Sequence, residues 1–141
     1  MIKRIDHIAI AVEDIQAALG FWRDMLGLDL SHLADVPEQQ ATIAFLPAGD
    51  SQVELVQPTT TDSGLARYLT KRGPGIHHIC FEVDDIVQTL AGLKARGVRL
   101  IDETPKTGSG GKRLAFVHPE STNGVLVELY EMPAETAYVR Q

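Results

Sequence analysis

The sequence predicts an α+β fold built from two βαβββ modules, and three observations carry that prediction. Residues 5–19 (IDHIAIAVEDIQAAL) align without a gap on residues 76–90 (IHHICFEVDDIVQTL), with seven identities in fifteen positions; unrelated segments of ordinary composition share about one. Each copy opens on a short β-type stretch, passes into an apolar pattern of helical period, and is followed by three further β-type stretches. The chain has 141 residues, the size of one domain, and half of it buries too little surface to be stable alone. Residues 1–141 are therefore expected to form a single domain, with module one at about 4–58, a linker and short helix at about 59–73, and module two at about 74–131.

Element by element, RIDHIAIAV at 4–12 reads as a strand buried on both faces, with His7 sharing a face with Ala9 and Ala11. Asp14 is placed to cap a helix whose apolar residues Ile15, Leu19, Trp22 and Leu26 recur at helical spacing, and Gly27 is placed to end it. Asp85, Ile86, Leu90, Leu93 and Gly97 repeat that pattern. The β-type stretches are LDLSHL, ATIAFLP and SQVELVQ in the first half and VRLIDE, KRLAFVHP and GVLVELYE in the second. The reversals between the last two of each set are PAGD at 47–50 and PESTNG at 119–124, rich in turn residues. Alternation puts Gln52, Glu54 and Val56 on one face of their strand, and Leu126, Glu128 and Tyr130 on one face of theirs. The polar connection PTTTDSGLARYLTKRGPG holds one short helix at about 63–72.

Composition narrows the function classes. A formal charge of −6 argues against nucleic-acid binding, which needs a basic surface. No apolar run approaches the roughly 20 residues that span a bilayer, and MIKRIDH lacks the apolar core of a signal peptide, so no membrane association and a cytoplasmic address are expected. Cys80 is the single cysteine, which excludes an internal disulfide and any cysteine-cluster metal site.

The repeat reaches further than the first strand and helix. IAFL at 43–46 and VEL at 53–55 recur as LAFV at 114–117 and VEL at 127–129, so His7 is matched by His78 and Glu54 by Glu128. The offset is 71 residues up to the Ala-Phe pairs and 74 at the glutamates, which places a three-residue insertion in the second hairpin turn. A single strand histidine is usually structural, and a glutamate near a strand end is usually solvated. Four such residues at equivalent positions in otherwise apolar strands are different, because buried carboxylates are costly without a compensating cation. If the modules pair about a pseudo-two-fold axis, His7, Glu54, His78 and Glu128 converge, and two imidazoles with two carboxylates suit a divalent first-row metal. The competing account keeps the four for packing, as two His–Glu hydrogen bonds in a metal-free protein. His77 points to the opposite face from His78, His118 lacks a counterpart and reads as a turn residue, and Cys80 reads as a small core residue or pocket wall.

The segments RIDHIAIAVEDI, VPEQ, DSQVELVQP, GIHHICFEVDDI, TGSGGKRLAFVHP and GVLVELYE, spanning 4–131, resemble the vicinal oxygen chelate superfamily, and more narrowly the methylmalonyl-CoA epimerases. The paired His and Glu mark the superfamily; the double histidine at 77 and 78, the TGSGGK loop and the following HP mark the epimerases. The resemblance implies a cupped mixed sheet around a metal site, with His7, His78 and Glu128 as ligands and Glu54 at the fourth ligand position. It implies a divalent ion, cobalt first, with zinc, nickel or manganese able to serve, an acyl-CoA substrate and a homodimer. Some bacterial epimerases carry Gln at the place of Glu54 and an additional Glu on the preceding strand, where this chain has Ile43. Glu54 and Glu128 are then the expected bases, one for each face of the reacting carbon. The TGSGGKR loop with Lys112 is a candidate for gripping the substrate carboxylate or the coenzyme A phosphates, or is simply a hairpin connection. Lys71, Arg72 and Arg113 are possible phosphate contacts that the sequence does not place.

Three rivals fit parts of the pattern. A lactoylglutathione lyase of the glyoxalase I type would use the same four ligands. An extradiol dioxygenase would use two His and one Glu around iron, but usually with two module pairs. A metal-free binding protein of this fold would have no reason to keep ionisable residues at all four positions.

Overall fold

Residues 1–134 of the chain are described by the structure, a computed structural model. The fold is α+β, with eight strands and three α-helices among the described residues. The strands are β1 (Ile2–Ala11), β2 (His32–Val36), β3 (Ala41–Ala48), β4 (Ser51–Pro58), β5 (Gly75–Val83), β6 (Lys106–Thr107), β7 (Arg113–Val117) and β8 (Val127–Glu131). The helices are α1 (Ile15–Leu19), α2 (Gly64–Arg72) and α3 (Ile86–Ala95). Two compact units divide the chain: His7–His77 is one, and Met1–Asp6 with the chain from His78 is the other. Both boundaries fall inside a strand, β1 between Asp6 and His7 and β5 between His77 and His78.

In the unit that begins at His7, the strands run β2-β3-β4-β1. β1 is parallel to β4, with Ala9 opposite Glu54, and β4, β3 and β2 are antiparallel, with Phe45 opposite Glu54 and His32 opposite Phe45. One face packs Val12, Ala44, Leu46 and Leu55 against Ile15 and Leu19 of α1. Leu19, Leu46 and Leu55 are completely buried, each such side chain contributing roughly 1.5–3 kcal/mol of burial. The other face gathers Ala9, Ala11, Ala41, Ile43 and Val56 beneath Leu69 of α2. Ser63 caps α2 by accepting from Ala66 N at 3.0 Å, within a residue of the expected start.

The second unit repeats the plan as β5-β8-β7-β6, with β5 parallel to β8 and Cys80 opposite Glu128, and β7 antiparallel to β8 with Phe116 opposite Glu128. α3 lays Ile86 and Leu90 on Val83, Ala115, Val117 and Leu129, and the opposite face holds Cys80, Leu114 and Tyr130. Both module helices are capped twice over. Asp14 accepts from Gln16 N and Asp85 from Gln88 N, both at 3.0 Å. A side chain from the last strand of the same module, Gln57 or Glu131, then accepts from Ile15 N or Ile86 N at 2.8 Å. Free helix N–H groups are satisfied in the same way in both halves.

Three elements differ from expectation. The first helix does not continue in α form to Gly27, because residues Gly20–Met25 form a π-helix. Leu28 N donates to Trp22 O in module one and Val98 N to Leu93 O in module two, both at 3.1 Å. Trp22 and Leu93 are therefore equivalent, and the first helix holds one extra residue before its closing glycine, which is what a π turn absorbs. LDLSHL is not a strand over its first half: Leu28 and Leu30 tuck against the α1 core, and β2 begins only at His32. VRLIDE meets β7 through one bridge, Leu100 with Val117, after which Asp102 Oδ2 accepts from Phe116 N at 2.9 Å and ends the ladder; pairing resumes at Lys106, past Pro105. Where module one carries Trp22, module two carries Leu93, and beside it lies a cavity of about 410 Å³ walled by Phe81, Val98, Val117, Val127 and Leu129.

Candidate functional site

Each unit holds one buried histidine facing one buried glutamate. His7 Nδ1 lies 3.2 Å from Glu54 Oε2, and His78 Nε2 lies 3.1 Å from Glu128 Oε1. All four residues are 3–9% exposed. The local fold places them by register: β1 runs parallel to β4, so His7, two residues before Ala9, shares a face with Glu54. The same holds for His78, two residues before Cys80, and Glu128. An aromatic ring flanks each glutamate at the cross-strand position, Phe45 beside Glu54 and Phe116 beside Glu128. Phe45 is stacked on His32 at 4.4 Å between ring centres, and Phe116 meets His78 edge to face at 5.9 Å.

Bonds of about 2.0–2.2 Å from one ion to two ligands, at angles between octahedral and tetrahedral, hold the donor atoms about 2.8–3.6 Å apart. The 3.2 Å and 3.1 Å separations meet that requirement in both units. Imidazole and carboxylate are donors that zinc, cobalt, nickel and manganese accept. His7, His78 and Glu128 are among the buried groups able to ligate a metal, and the residues fit such an ion.

The surrounding residues divide into wall and support. Ile43 is 4% exposed within an apolar cluster and can serve neither as acid nor as base. His77 sets its ring against Tyr68 of α2, at 5.0 Å edge to face. His118 caps a turn, its Nδ1 accepting from Glu120 N at 3.0 Å. Cys80 is fully buried with Leu114 and Tyr130. The TGSGGKR segment links β6 to β7 as a tight connection, Gly108 N donating to Lys112 O at 2.7 Å, and Gly110 and Gly111 take the positive φ that glycine permits. Lys112 sets its ammonium over the Tyr130 ring at 5.2 Å and Lys106 over Phe116 at 5.6 Å. Arg72 lies over Tyr68 at 5.3 Å, Lys71 is exposed at the end of α2, and Arg113 is exposed on β7.

Two features escaped the sequence. Phe45 and Phe116 were visible as part of the IAFL and LAFV repeat, but only the strand register shows that they flank the glutamates. The other is a buried polar group around Tyr130, whose hydroxyl donates to Asp6 Oδ1 at 2.6 Å. Burial pushes the Tyr130 phenol well above the usual tyrosine range, with Cys80 and Glu82 adding to the effect, so it is a neutral donor. Asp6 is matched in the repeat by His77, so symmetry did not mark it.

No helix among the described residues is long and apolar enough to cross a membrane. The family model for the Glyoxalase/Bleomycin resistance protein/Dioxygenase superfamily matches residues 6–116. The chain is similar to the uncharacterized protein YqjC of Bacillus subtilis, at 44% identity over 129 residues covering 92% of each chain. It is 40% identical over 134 residues to an ethylmalonyl-CoA/methylmalonyl-CoA epimerase of Cereibacter sphaeroides, covering 94% of this chain and all of that one. A solved structure of methylmalonyl-CoA epimerase in complex with methylmalonyl-CoA and NH4+ superposes with a TM-score of 0.85 at 36% identity, covering 95% of this chain and 97% of that one.

Proposed function

We propose that this chain, which belongs to the Glyoxalase/Bleomycin resistance protein/Dioxygenase superfamily, is a metal-dependent epimerase that interconverts (2R)- and (2S)-methylmalonyl-CoA. The observation that carries the reading is the pair of buried His–Glu contacts at repeat-equivalent positions, together with the epimerases it resembles over nearly the whole chain. The ligands in this reading are His7, Glu54, His78 and Glu128, with the two modules, about 4–58 and 74–131, acting together as one domain about a pseudo-two-fold axis. Cobalt is the ion expected first, with zinc, nickel or manganese able to serve. The substrate class is an acyl-CoA, and the protein works as a cytoplasmic homodimer.

The reaction removes the proton from the carbon next to the thioester on one face and returns one on the other. A divalent ion held by these four residues would supply Lewis-acid neutralisation of the charge that develops on the thioester oxygen. Glu54 and Glu128 act as the two bases, each taking or giving the proton on its own face of the carbon. Ile43, held in apolar contacts, leaves that work to them. The apolar neighbours Ala9, Phe45, Cys80 and Phe116 keep water from competing for the carboxylates. Lys112 and the glycine-rich connection are the candidates for meeting the substrate's free carboxylate or its phosphates.

The test is deuterium wash-in. Metal-analysed protein is incubated in deuterated water with methylmalonyl-CoA, and separately with methylglyoxal and glutathione. Deuterium at the α-carbon of the thioester is expected; product from the hemithioacetal alone would end the epimerase reading. Glu54→Gln and Glu128→Gln should each lower turnover by about 10²–10⁴-fold. Near-normal turnover in both, with metal retained, would sink the two-base assignment.

A further inference from the structure

Arg4, Asp6, Glu82 and Tyr130 form a polar ring that the proposed reaction leaves unused. The Tyr130 hydroxyl donates to Asp6 Oδ1 at 2.6 Å, and Arg4 Nη2 lies 3.3 Å from the same oxygen. Arg4 Nε donates to Glu82 Oε1 at 2.8 Å, and Glu82 stands opposite Tyr130 in the β5–β8 register, which closes the ring. Asp6, Glu82 and Tyr130 are all buried. Taking two carboxylates and a phenol out of water is costly even when they are well paired.

The internal repeat shows that the core itself does not require this arrangement. At the offsets set by the repeat, the unit that begins at His7 has Val56 for Tyr130, Ala11 for Glu82, His77 for Asp6 and Gly75 for Arg4. Val56 and Ala11 simply join an apolar cluster. The polar ring is therefore particular to one of the two units, and its position indicates its use. Asp6 is followed directly by His7, their Cα atoms about 3.8 Å apart, and Tyr130 is two residues from Glu128 on the same face of β8. One hydrogen bond, spanning 124 residues of sequence, ties the strand bearing Glu128 to the residue before His7.

We propose that Asp6 and Tyr130 are positioning residues for the metal ligands His7 and Glu128, an inference that rests on the metal-site reading above. In that reading neither residue is itself a ligand. A metal site tolerates ligand displacements of only a few tenths of an ångström, and losing an outer partner that orients a ligand weakens metal binding about 10–100-fold. In this reading the bond between Asp6 and Tyr130 holds the backbone one residue from His7, and the strand that carries Glu128, in fixed positions.

Cobalt(II) affinity, measured by chelator competition on the full chain, tests this, with kcat and KM measured separately. Tyr130→Phe removes only the hydroxyl and should weaken cobalt binding about 10-fold or more. Asp6→Leu should do the same, and Asp6→Asn, which keeps an acceptor oxygen for the phenol, should lose less. Leu90→Ala, a truncation under α3 on the opposite face, should lower the melting temperature yet leave cobalt affinity within about two-fold of wild type. Wild-type affinity in both Tyr130→Phe and Asp6→Leu, or an equal loss in Leu90→Ala, overturns the positioning role while leaving the metal site standing. A wild-type protein that binds no cobalt overturns the metal-site reading and this inference with it.

Discussion

Replacing His7 and Glu54 together by leucine should make the metal-free protein more stable, and that sign separates a functional pair from a packing one. Both side chains are buried, 3.2 Å apart, on a face that continues into Ala9, Ala11, Ile43 and Val56. Two leucines of similar volume would extend that cluster and remove a buried carboxylate. Substitutions of this kind stabilise by about 1–4 kcal/mol, because both members of the pair are replaced together and neither is left facing an apolar partner. For a chain of this size each kcal/mol moves the melting temperature by roughly 3–4 °C, so a rise of roughly 3–15 °C is expected in excess chelator. Adding cobalt should reverse much of the gap. The wild type gains about 2.7 kcal/mol when the metal is at 100 times its dissociation constant, whereas the double variant gains nothing. Thermal melts of both proteins, with chelator and with cobalt, provide the assay. A double variant that melts below wild type in chelator, beside a wild type indifferent to cobalt, would refute the reasoning and make the His–Glu pairs structural.

Two further outcomes follow from the repeat. Leu93→Trp places in module two the side chain that module one already carries at Trp22, beside the cavity of about 410 Å³; filling it should add about 0.5–2 kcal/mol of stability, and a lowered melting temperature would show that the space cannot take an indole. Glu131→Ala should destabilise more than Gln57→Ala in chemical denaturation, since both accept from the first N–H of a module helix at 2.8 Å but only Glu131 brings a charge to the positive helix end; about 1 kcal/mol is expected for the Gln57 cap and up to about twice that for Glu131.

The helix starts were legible because their signals are local. Asp14 and Asp85 each cap the helix they precede. The pairing of His7 with Glu54 and of His78 with Glu128 was legible for a different reason: the repeat ties distant positions together, as a local pattern cannot. What escaped depends on partners that the pattern does not name. Leu28 and Leu30 alternate as a strand would, yet they are used to close the core beneath α1. The π turn was present as arithmetic, since Asp14 to Gly27 is one residue longer than Asp85 to Gly97, but apolar period alone does not distinguish π from α. The Asp6–Tyr130 bond lies furthest from view because it spans 124 residues of sequence and falls where the repeat offers no like counterpart.

The division of β1 between Asp6 and His7, and of β5 between His77 and His78, bears on how such a molecule could arise or be taken apart. Each unit borrows the opening residues of the other module's first strand, so the repeat in the gene and the unit in space are not the same segment. A fragment cut at the linker would carry a complete repeat but an incomplete unit.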